Sequence, residues 1–251
     1  MNLKLPSPSS IRRPANALAP ALYLVAGILL LAGCAGEPTI QRGEDAEVVL
    51  GRLNRVDNAR VDFAYVDPAI DFRRYGKLQL LPLDLDHVAI VQPGSSNSVM
   101  SRIDTEWELT DEDRSRIRDV YREAMEKAIG GSATVTLSDR PGPEVLAVEA
   151  VLTRIAPNAP KDDTRSRPIG RTRVYTEGAG SMSIALALVD SESGEVLALM
   201  KDTRDGEGGM WGLNNSVSNM AEVRRIFGIW GRLLAGGLDR ITRAPAQGTP
   251  S

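Results

Sequence analysis

The chain has 251 residues, with 30 basic and 33 acidic side chains and a formal net charge of −3. Residues 1–33 carry three of the basic residues and no acidic one, so the charge of the remainder is 27 − 33 = −6, which argues against a nucleic-acid partner or a general anionic-membrane surface. Cys34 is the one cysteine, so no intramolecular disulfide can form, and the fold must depend on its apolar core.

The first 33 residues have the composition of a secretory signal. Lys4, Arg12 and Arg13 precede an apolar run over residues 17–31, and small residues follow that run. A run of 15 residues is shorter than the about 20 that a membrane-spanning helix needs, and it fits the about 7–15 of a signal peptide. We therefore predict a signal peptide over residues 1–33.

The tetrapeptide Leu31-Ala32-Gly33-Cys34 resembles the processing site of bacterial lipoproteins. The resemblance implies cleavage after Gly33, a diacylglyceryl thioether on Cys34, and acylation of the new N-terminus, typically with palmitate. The next residue is Ala35 rather than aspartate, which implies sorting to the outer membrane of a Gram-negative bacterium, on its periplasmic side. The alternatives are an uncleaved anchor helix and a small buried cysteine.

Three further regions follow the predicted cleavage site. Residues 34–61 are mostly polar and are predicted to be a lipidated N-terminus and tether, although the apolar residues between 48 and 56 also fit a short docked segment. Residues 62–243 are predicted to be one α+β domain. Residues 244–251 are small and polar and are predicted to be a disordered tail.

Two segments predict helices. Thr110 and Asp113 have the spacing of a capping box, apolar residues follow at intervals of three and four, and Gly130 marks the end. A second apolar stripe runs from Val223 to Ile241, with Asn219 as its predicted N-cap.

Strands are predicted over residues 77–83, 134–137, 145–155, 182–188 and 196–200, with a turn over 190–195 that joins the last two into a hairpin. Adjacent strands joined by turns favour an α+β fold. We predict a largely antiparallel sheet of about five strands with two main helices packed on one face.

Four stretches together carry a resemblance to a known family. They are Tyr65–Tyr75, Leu109–Arg114, Asp190–Leu197, and Trp230 with Leu238-Asp239. Their order and spacing resemble the bacterial lipoprotein family known as domain of unknown function 3313. The resemblance implies a periplasm-facing lipoprotein of undefined role, and it implies no established reaction, catalytic residue or cofactor.

The sequence offers few groups for catalysis. His87 is the only histidine, and no motif of a serine nucleophile accompanies it. Asp84 and Asp86 with His87 form a weak metal pattern, which we interpret as a polar strand end, so no metal site is predicted. The glycines of residues 206–212 superficially resemble a dinucleotide loop, but a flexible loop fits their spacing better.

Two surfaces are candidates for an interface. One is the basic cluster formed by Arg165, Arg167, Arg171 and Arg173, for which a solvated loop is the alternative. The other is the apolar group formed by Trp107, Met210 and Trp211, for which packing under the sheet is the alternative.

We therefore expect a non-enzymatic outer-membrane lipoprotein that acts as a binding or accessory module for an envelope protein or the cell wall. The alternative is a carboxylate-based periplasmic hydrolase, with Glu149, Asp190 and Asp202 as candidate acids and bases, or a lipoprotein that binds a small ligand.

Overall fold

The computed structural model describes residues 36–92, 108–157, 175–176, 180–206, 212–213 and 216–243. The chain divides into two compact units, Met1–Glu37 and Pro38–Ser251. Of the first unit only Gly36 and Glu37 are described, so the predicted signal peptide and Cys34 lie outside the described residues. All the regular secondary structure described belongs to the second unit.

The described residues form twelve strands, a short 3-10 turn at Phe72–Arg74, and two α-helices. The helices are α1 (Asp111–Ile129) and α2 (Ser216–Arg243). The strands are β1 (Thr39–Ile40), β2 (Val48–Val49), β3 (Leu53–Asp57), β4 (Phe63–Val66), β5 (Lys77–Leu80), β6 (Ala89–Ile90), β7 (Thr136–Leu137), β8 (Val145–Ala156), β9 (Tyr175–Thr176), β10 (Ser181–Asp190), β11 (Val196–Asp205) and β12 (Gly212–Leu213).

Ten of these strands form one mixed sheet in the order β1-β3-β4-β11-β10-β8-β5-β7, with β2 beside β3 and β6 beside β8. The pairs from β1 to β8 along this order are antiparallel, whereas β5 pairs in parallel with both β8 and β7. The α+β class is confirmed, but the prediction of about five strands was wrong. Several added strands are only two residues long, too short to show a period in the sequence.

The polar segment before residue 62 is part of the sheet rather than a free tether. Thr39 and Ile40 pair with Asp57 and Val56, and β3 also pairs with β4. Leu53 is fully buried, which fixes this segment on the domain. The docked-segment alternative therefore describes residues 39–57 better, and the link between Cys34 and the first strand shortens to residues 35–38.

The two long central strands bury one face against the helices. Leu146, Val148, Ala150 and Leu152 of β8, and alternate residues of β10 from Met182 to Leu188, share one core with both helices. The intervening residues, such as Glu149 and Ala187, point to the opposite face, since side chains alternate along a strand. The helices thus cover one face of the central sheet.

Helix α1 begins as predicted. The Thr110 hydroxyl accepts a hydrogen bond from the backbone N–H of Asp113 at 3.2 Å, and the Asp113 carboxylate accepts one from the backbone N–H of Thr110 at 3.1 Å. This reciprocal pair satisfies two N–H groups that the first helical turn leaves open. The helix ends at Ile129, directly before Gly130.

Helix α2 begins at Ser216, so the prediction of Asn219 as its N-cap was wrong. The helix packs closely against α1 at Gly231, where an added Cβ would lie 2.8 Å from the Cβ of Ala128. Tyr121, Phe227 and Trp230 stack edge to face along this contact, with ring centroids 5.5 and 5.7 Å apart.

Candidate functional site

An apolar groove lies between α2 and the N-terminal strands, on the face of the sheet that carries the helices. We call it the helix-side groove; its volume is about 440 Å³. It is lined by Pro38, Thr39, Ile40, Arg42, Val56, Ala59, Arg60, Val61, Ala64, Val66, Leu186, Leu188, Ala198, Leu199, Met200, Leu233, Leu234, Gly237, Leu238, Arg240 and Ile241.

Four parts of the chain build this groove. Residues of β10 and β11, among them Leu186 and Met200, form its floor, and one side of α2 from Leu233 to Ile241 forms a wall. The segment from Pro38 to Arg42 and residues 56–66, from the end of β3 through β4, form the remaining lining. The groove remains open because small residues occupy positions where larger side chains would fill it.

Gly237 is the clearest of these small residues. It lines the groove from α2, and a Cβ built on it would have no heavy atom within 4 Å, so the space beside it is open. Its neighbour Gly236 is equally free of close contacts but does not line the groove. The two glycines therefore offer a matched pair for filling the groove or leaving it open.

The charged lining of the groove is entirely basic. Arg42, Arg60 and Arg240 are exposed, and no aspartate or glutamate is among the described residues that line the groove. Within the described part of the chain, none of the three guanidinium groups has a hydrogen bond or ion pair. An apolar interior with unpaired cations beside it suits a ligand that is apolar at one end and anionic at the other.

Asp202, one of the predicted acid–base candidates, is held inside the core. It is 1% exposed, and its carboxylate accepts hydrogen bonds from the indole of Trp230 and the guanidinium of Arg204. The backbone N–H of Asp62 donates to its other oxygen at 3.1 Å. Fixed donors thus occupy both oxygens of this carboxylate, which is the arrangement of a structural ion pair.

Asp190, the second candidate, organises the turn between β10 and β11. Its carboxylate accepts hydrogen bonds from the backbone N–H of Ser193, the Tyr75 hydroxyl and the Arg74 guanidinium, at 3.0, 2.7 and 2.7 Å. The backbone N–H of Ser193, followed by the Tyr75 hydroxyl, holds the pKa of Asp190 well below its ordinary value. Burial in turn raises the pKa of Tyr75 to about 12.

The three candidate carboxylates do not converge. Asp202 pairs across the sheet with Ile184, six residues along β10 from Asp190, which corresponds to about 20 Å of strand. Glu149 lies beside Ala187 on the opposite face of the sheet from both Asp202 and Asp190, since Asp190 is in register with the core residue Leu146. These residues therefore do not form the two-carboxylate arrangement of a hydrolase, whose carboxyl groups lie about 5–10 Å apart.

The weak metal pattern adopts local turn geometry. The Asp84 carboxylate accepts a hydrogen bond from the backbone N–H of Asp86 at 2.7 Å, and His87 is exposed. Among the described residues, no group of three or more His, Cys, Asp or Glu side chains is placed to hold a metal ion.

The residues singled out as candidate interfaces all lie outside the described residues. They are Trp107, Met210, Trp211, Arg165, Arg167, Arg171 and Arg173.

The helix-side groove was not predicted from the sequence because it is assembled from segments far apart in the chain. Its one local signal is a pair of glycines inside the apolar stripe of α2.

Neither described helix is long and apolar enough to span a bilayer.

Most of the chain matches the model of a known protein family. The family is described as a protein of unknown function, DUF3313, and its model matches residues 49–234. No curated protein matches the chain.

Solved structures share a limited likeness. The PelC dodecamer of Paraburkholderia phytofirmans matches with a TM-score of 0.34 and 10% identity, over 68% of this chain and 94% of that one. A Xanthomonas campestris protein of family DUF330 matches with a TM-score of 0.38 and 13% identity, over 69% of this chain and 87% of that one. A candidate lipoprotein of Caulobacter crescentus matches with a TM-score of 0.32 and 12% identity, over 52% of this chain and 86% of that one. At these scores the likeness carries no inference about function or assembly.

Proposed function

This chain belongs to the DUF3313 family of proteins of unknown function, and we propose that it is an outer-membrane lipoprotein whose periplasmic domain binds the apolar part of a small molecule without transforming it. The anchor is Cys34, and the binding site is the helix-side groove.

The anchor rests on the sequence around Cys34. A positive segment, a short apolar run and Leu-Ala-Gly-Cys stand in the order that lipoprotein processing requires. Stable anchoring needs more than one acyl chain, and the proposed modification supplies three. Ala35 in place of aspartate supports the outer membrane as the destination.

Metabolic labelling tests the anchor directly. Cells given radioactive palmitate should label the wild-type protein in the outer-membrane fraction, and mass spectrometry should find an acylated N-terminus at Cys34. The Cys34→Ser variant should take up no label. Labelling of that variant, or a wild-type N-terminus elsewhere, would remove the lipoprotein part of the proposal.

The groove is the observation that carries the binding function. Its volume of about 440 Å³ lies within the about 300–1,000 Å³ range of small-molecule sites, and aliphatic side chains dominate its lining. The open space beside Gly237 leaves room for a ligand next to α2. This supports the ligand-binding alternative over a module that binds only proteins.

The non-enzymatic part of the proposal rests on where the candidate acids lie. The carboxylates of Asp190 and Asp202 each accept hydrogen bonds from several fixed donors, and Glu149 lies on the face of the sheet opposite the groove. No carboxylate lines the groove among the described residues, so a bound ligand would meet neither an acid nor a base of that type.

A photoreactive probe tests binding in the groove. Mature protein in phosphatidylcholine nanodiscs is irradiated with a diazirine derivative of hexadecanol, and labelled peptides are mapped. We expect labels within residues 38–66 and 233–241 of the wild type and of the Gly236→Leu control, but none there in Gly237→Leu, whose side chain fills the groove. Equal labelling of the two variants would contradict a groove site.

A partner in the envelope remains part of the proposal. The basic cluster from Arg165 to Arg173 and the apolar group Trp107, Met210 and Trp211 are proposed to contact an envelope protein or the cell wall. Truncating both groups should then reduce crosslinking to envelope components without changing labelling in the groove.

A further inference from the structure

We propose that the ligand of the helix-side groove is a single acyl chain with an anionic headgroup, taken from the membrane that holds the protein. The acyl chain of the ligand would lie along α2, and its carboxylate or phosphate headgroup would bind Arg42, Arg60 and Arg240. This inference rests on the proposed binding function and names the chemical class of its ligand.

The shape and lining of the groove fit an acyl chain. One wall is a continuous side of α2 that includes Leu233, Leu234, Leu238 and Ile241, and the floor is aliphatic. No aromatic side chain is among the described residues that line it, so the groove offers no platform for stacking a flat ring. An unbranched chain gains from such a lining with every methylene that leaves water.

The charges beside the groove favour an anion. Elsewhere around the same strands the arginines have acidic partners: Arg52 with Asp67, Arg55 with Glu47, and Arg204 with Asp202. Arg42, Arg60 and Arg240 have no such acidic partner among the described residues. Acidic side chains are nonetheless in excess, since the net charge without residues 1–33 is −6. Guanidinium groups form strong, often bidentate hydrogen bonds with carboxylates and phosphates, so an anionic headgroup would supply the missing partner.

The position of the groove in the chain supports the membrane as the source of the ligand. Thr39 and Arg42 line the groove, and four residues lie between Cys34 and Thr39, so the Cα atoms of these two residues are at most about 18 Å apart. A lipid anchor at Cys34 therefore keeps this wall near the membrane surface. The anchor itself carries no anion, so it would leave the arginines unpaired, which favours a free amphiphile over the protein's own acyl chains.

Three diazirine probes of equal chain length test the headgroup. They are palmitic acid, hexadecyl phosphate and hexadecanol, each titrated against the mature protein in phosphatidylcholine nanodiscs, with labelling of the groove peptides as the readout. We expect both anions to reach half-maximal labelling at about tenfold lower concentration than the alcohol. Gly237→Leu should abolish groove labelling by all three probes.

Arginine variants separate specific recognition from net charge. Replacing Arg42, Arg60 and Arg240 with glutamine should remove the tenfold preference for anions and leave labelling by hexadecanol unchanged. The control replaces Arg122, Arg140 and Arg232, which are exposed and do not line the groove, and it should keep the preference.

Each contrary outcome has a distinct meaning. If acid and alcohol label the wild type equally, or both triple variants lose the preference, the anionic ligand is wrong while groove binding stands. If Gly237→Leu labels like the wild type, the groove itself is wrong. If the lipidated protein resists labelling while Cys34→Ser is labelled, the protein's own anchor occupies the groove, and this inference fails.

Discussion

The indole Nε1 of Trp230 donates a hydrogen bond of 2.7 Å to the Oδ2 of Asp202, and both side chains are buried. This contact joins the middle of α2 to β11. The same carboxylate accepts from Arg204 at 2.6 Å and from the backbone N–H of Asp62 at 3.1 Å. One buried acid therefore ties the last helix to the sheet and to the connection between β3 and β4, beside which the groove lies.

Replacing Trp230 with phenylalanine should lower the free energy of unfolding by about 2–4 kcal/mol, because it removes a buried donor and leaves unfilled volume. Urea denaturation measures the change. A double-mutant cycle with Asp202→Asn should show a coupling of about 0.5–3 kcal/mol, whereas a cycle with the distant Asp190→Asn should be additive. Additivity in both cycles would mean that the Trp230–Asp202 contact contributes nothing.

Stability should decline in acid because of Asp190. The backbone N–H of Ser193 and the Tyr75 hydroxyl hold the pKa of Asp190 below its ordinary value of about 3.9, so the unfolded chain binds a proton more readily than the folded one. The stabilisation is therefore complete above about pH 4 and is lost as the pH falls through the lowered pKa.

The measurement is the urea midpoint between pH 7 and pH 2.5. Asp190→Asn should lower stability at pH 7 by about 1.5–3 kcal/mol and flatten part of the acid decline. Tyr75→Phe should also flatten it, because the folded-state pKa of Asp190 rises when a donor is lost. An unchanged decline in both variants would assign acid sensitivity to other carboxylates.

Local signals in the sequence predicted local structure well. The capping box of Thr110 and Asp113 and the turn at Asp190 depend on residues within three or four positions, and both are present. Strand β1 could not be predicted in this way, because Thr39 and Ile40 become a strand only by pairing with Asp57 and Val56. The groove is harder still to predict from the sequence, because it exists only when β1, β11 and α2 have packed together in the folded domain.

The family stretches proved informative about structure rather than chemistry. Arg74 and Tyr75, from one stretch, donate to Asp190, which begins another. Asp239, near the end of α2, accepts hydrogen bonds at 2.7 Å from the hydroxyls of both Ser132 and Thr134, which follow α1. The residues that carry the resemblance therefore hold the helices and hairpin together, which explains why they indicate a family without indicating a reaction.

Glycines of α2 should respond oppositely to substitution by alanine. At Gly231 an added Cβ would lie 2.8 Å from the Cβ of Ala128 and 3.3 Å from the carbonyl of Ala124, so α1 and α2 must move apart. We expect a loss of about 1–3 kcal/mol. At Gly236 the space is open, and alanine should stabilise the helix by up to about 1 kcal/mol. Thermal unfolding of both variants checks the contrast, and a stabilised Gly231→Ala would disprove the close approach of the helices.

Two buried tyrosines should likewise differ when their hydroxyls are removed. The Tyr121 hydroxyl is buried and has no hydrogen-bond partner among the described residues, while its ring packs edge to face on Phe227. Tyr121→Phe keeps that ring contact and removes an unsatisfied polar group, so we expect a gain of about 1 kcal/mol and a rise in Tm of about 2–4 °C. Tyr75→Phe is the matched control and should lower Tm, because the Tyr75 hydroxyl donates to Asp190 at 2.7 Å. A lower Tm for Tyr121→Phe would show that its hydroxyl has a partner in solution, such as a buried water.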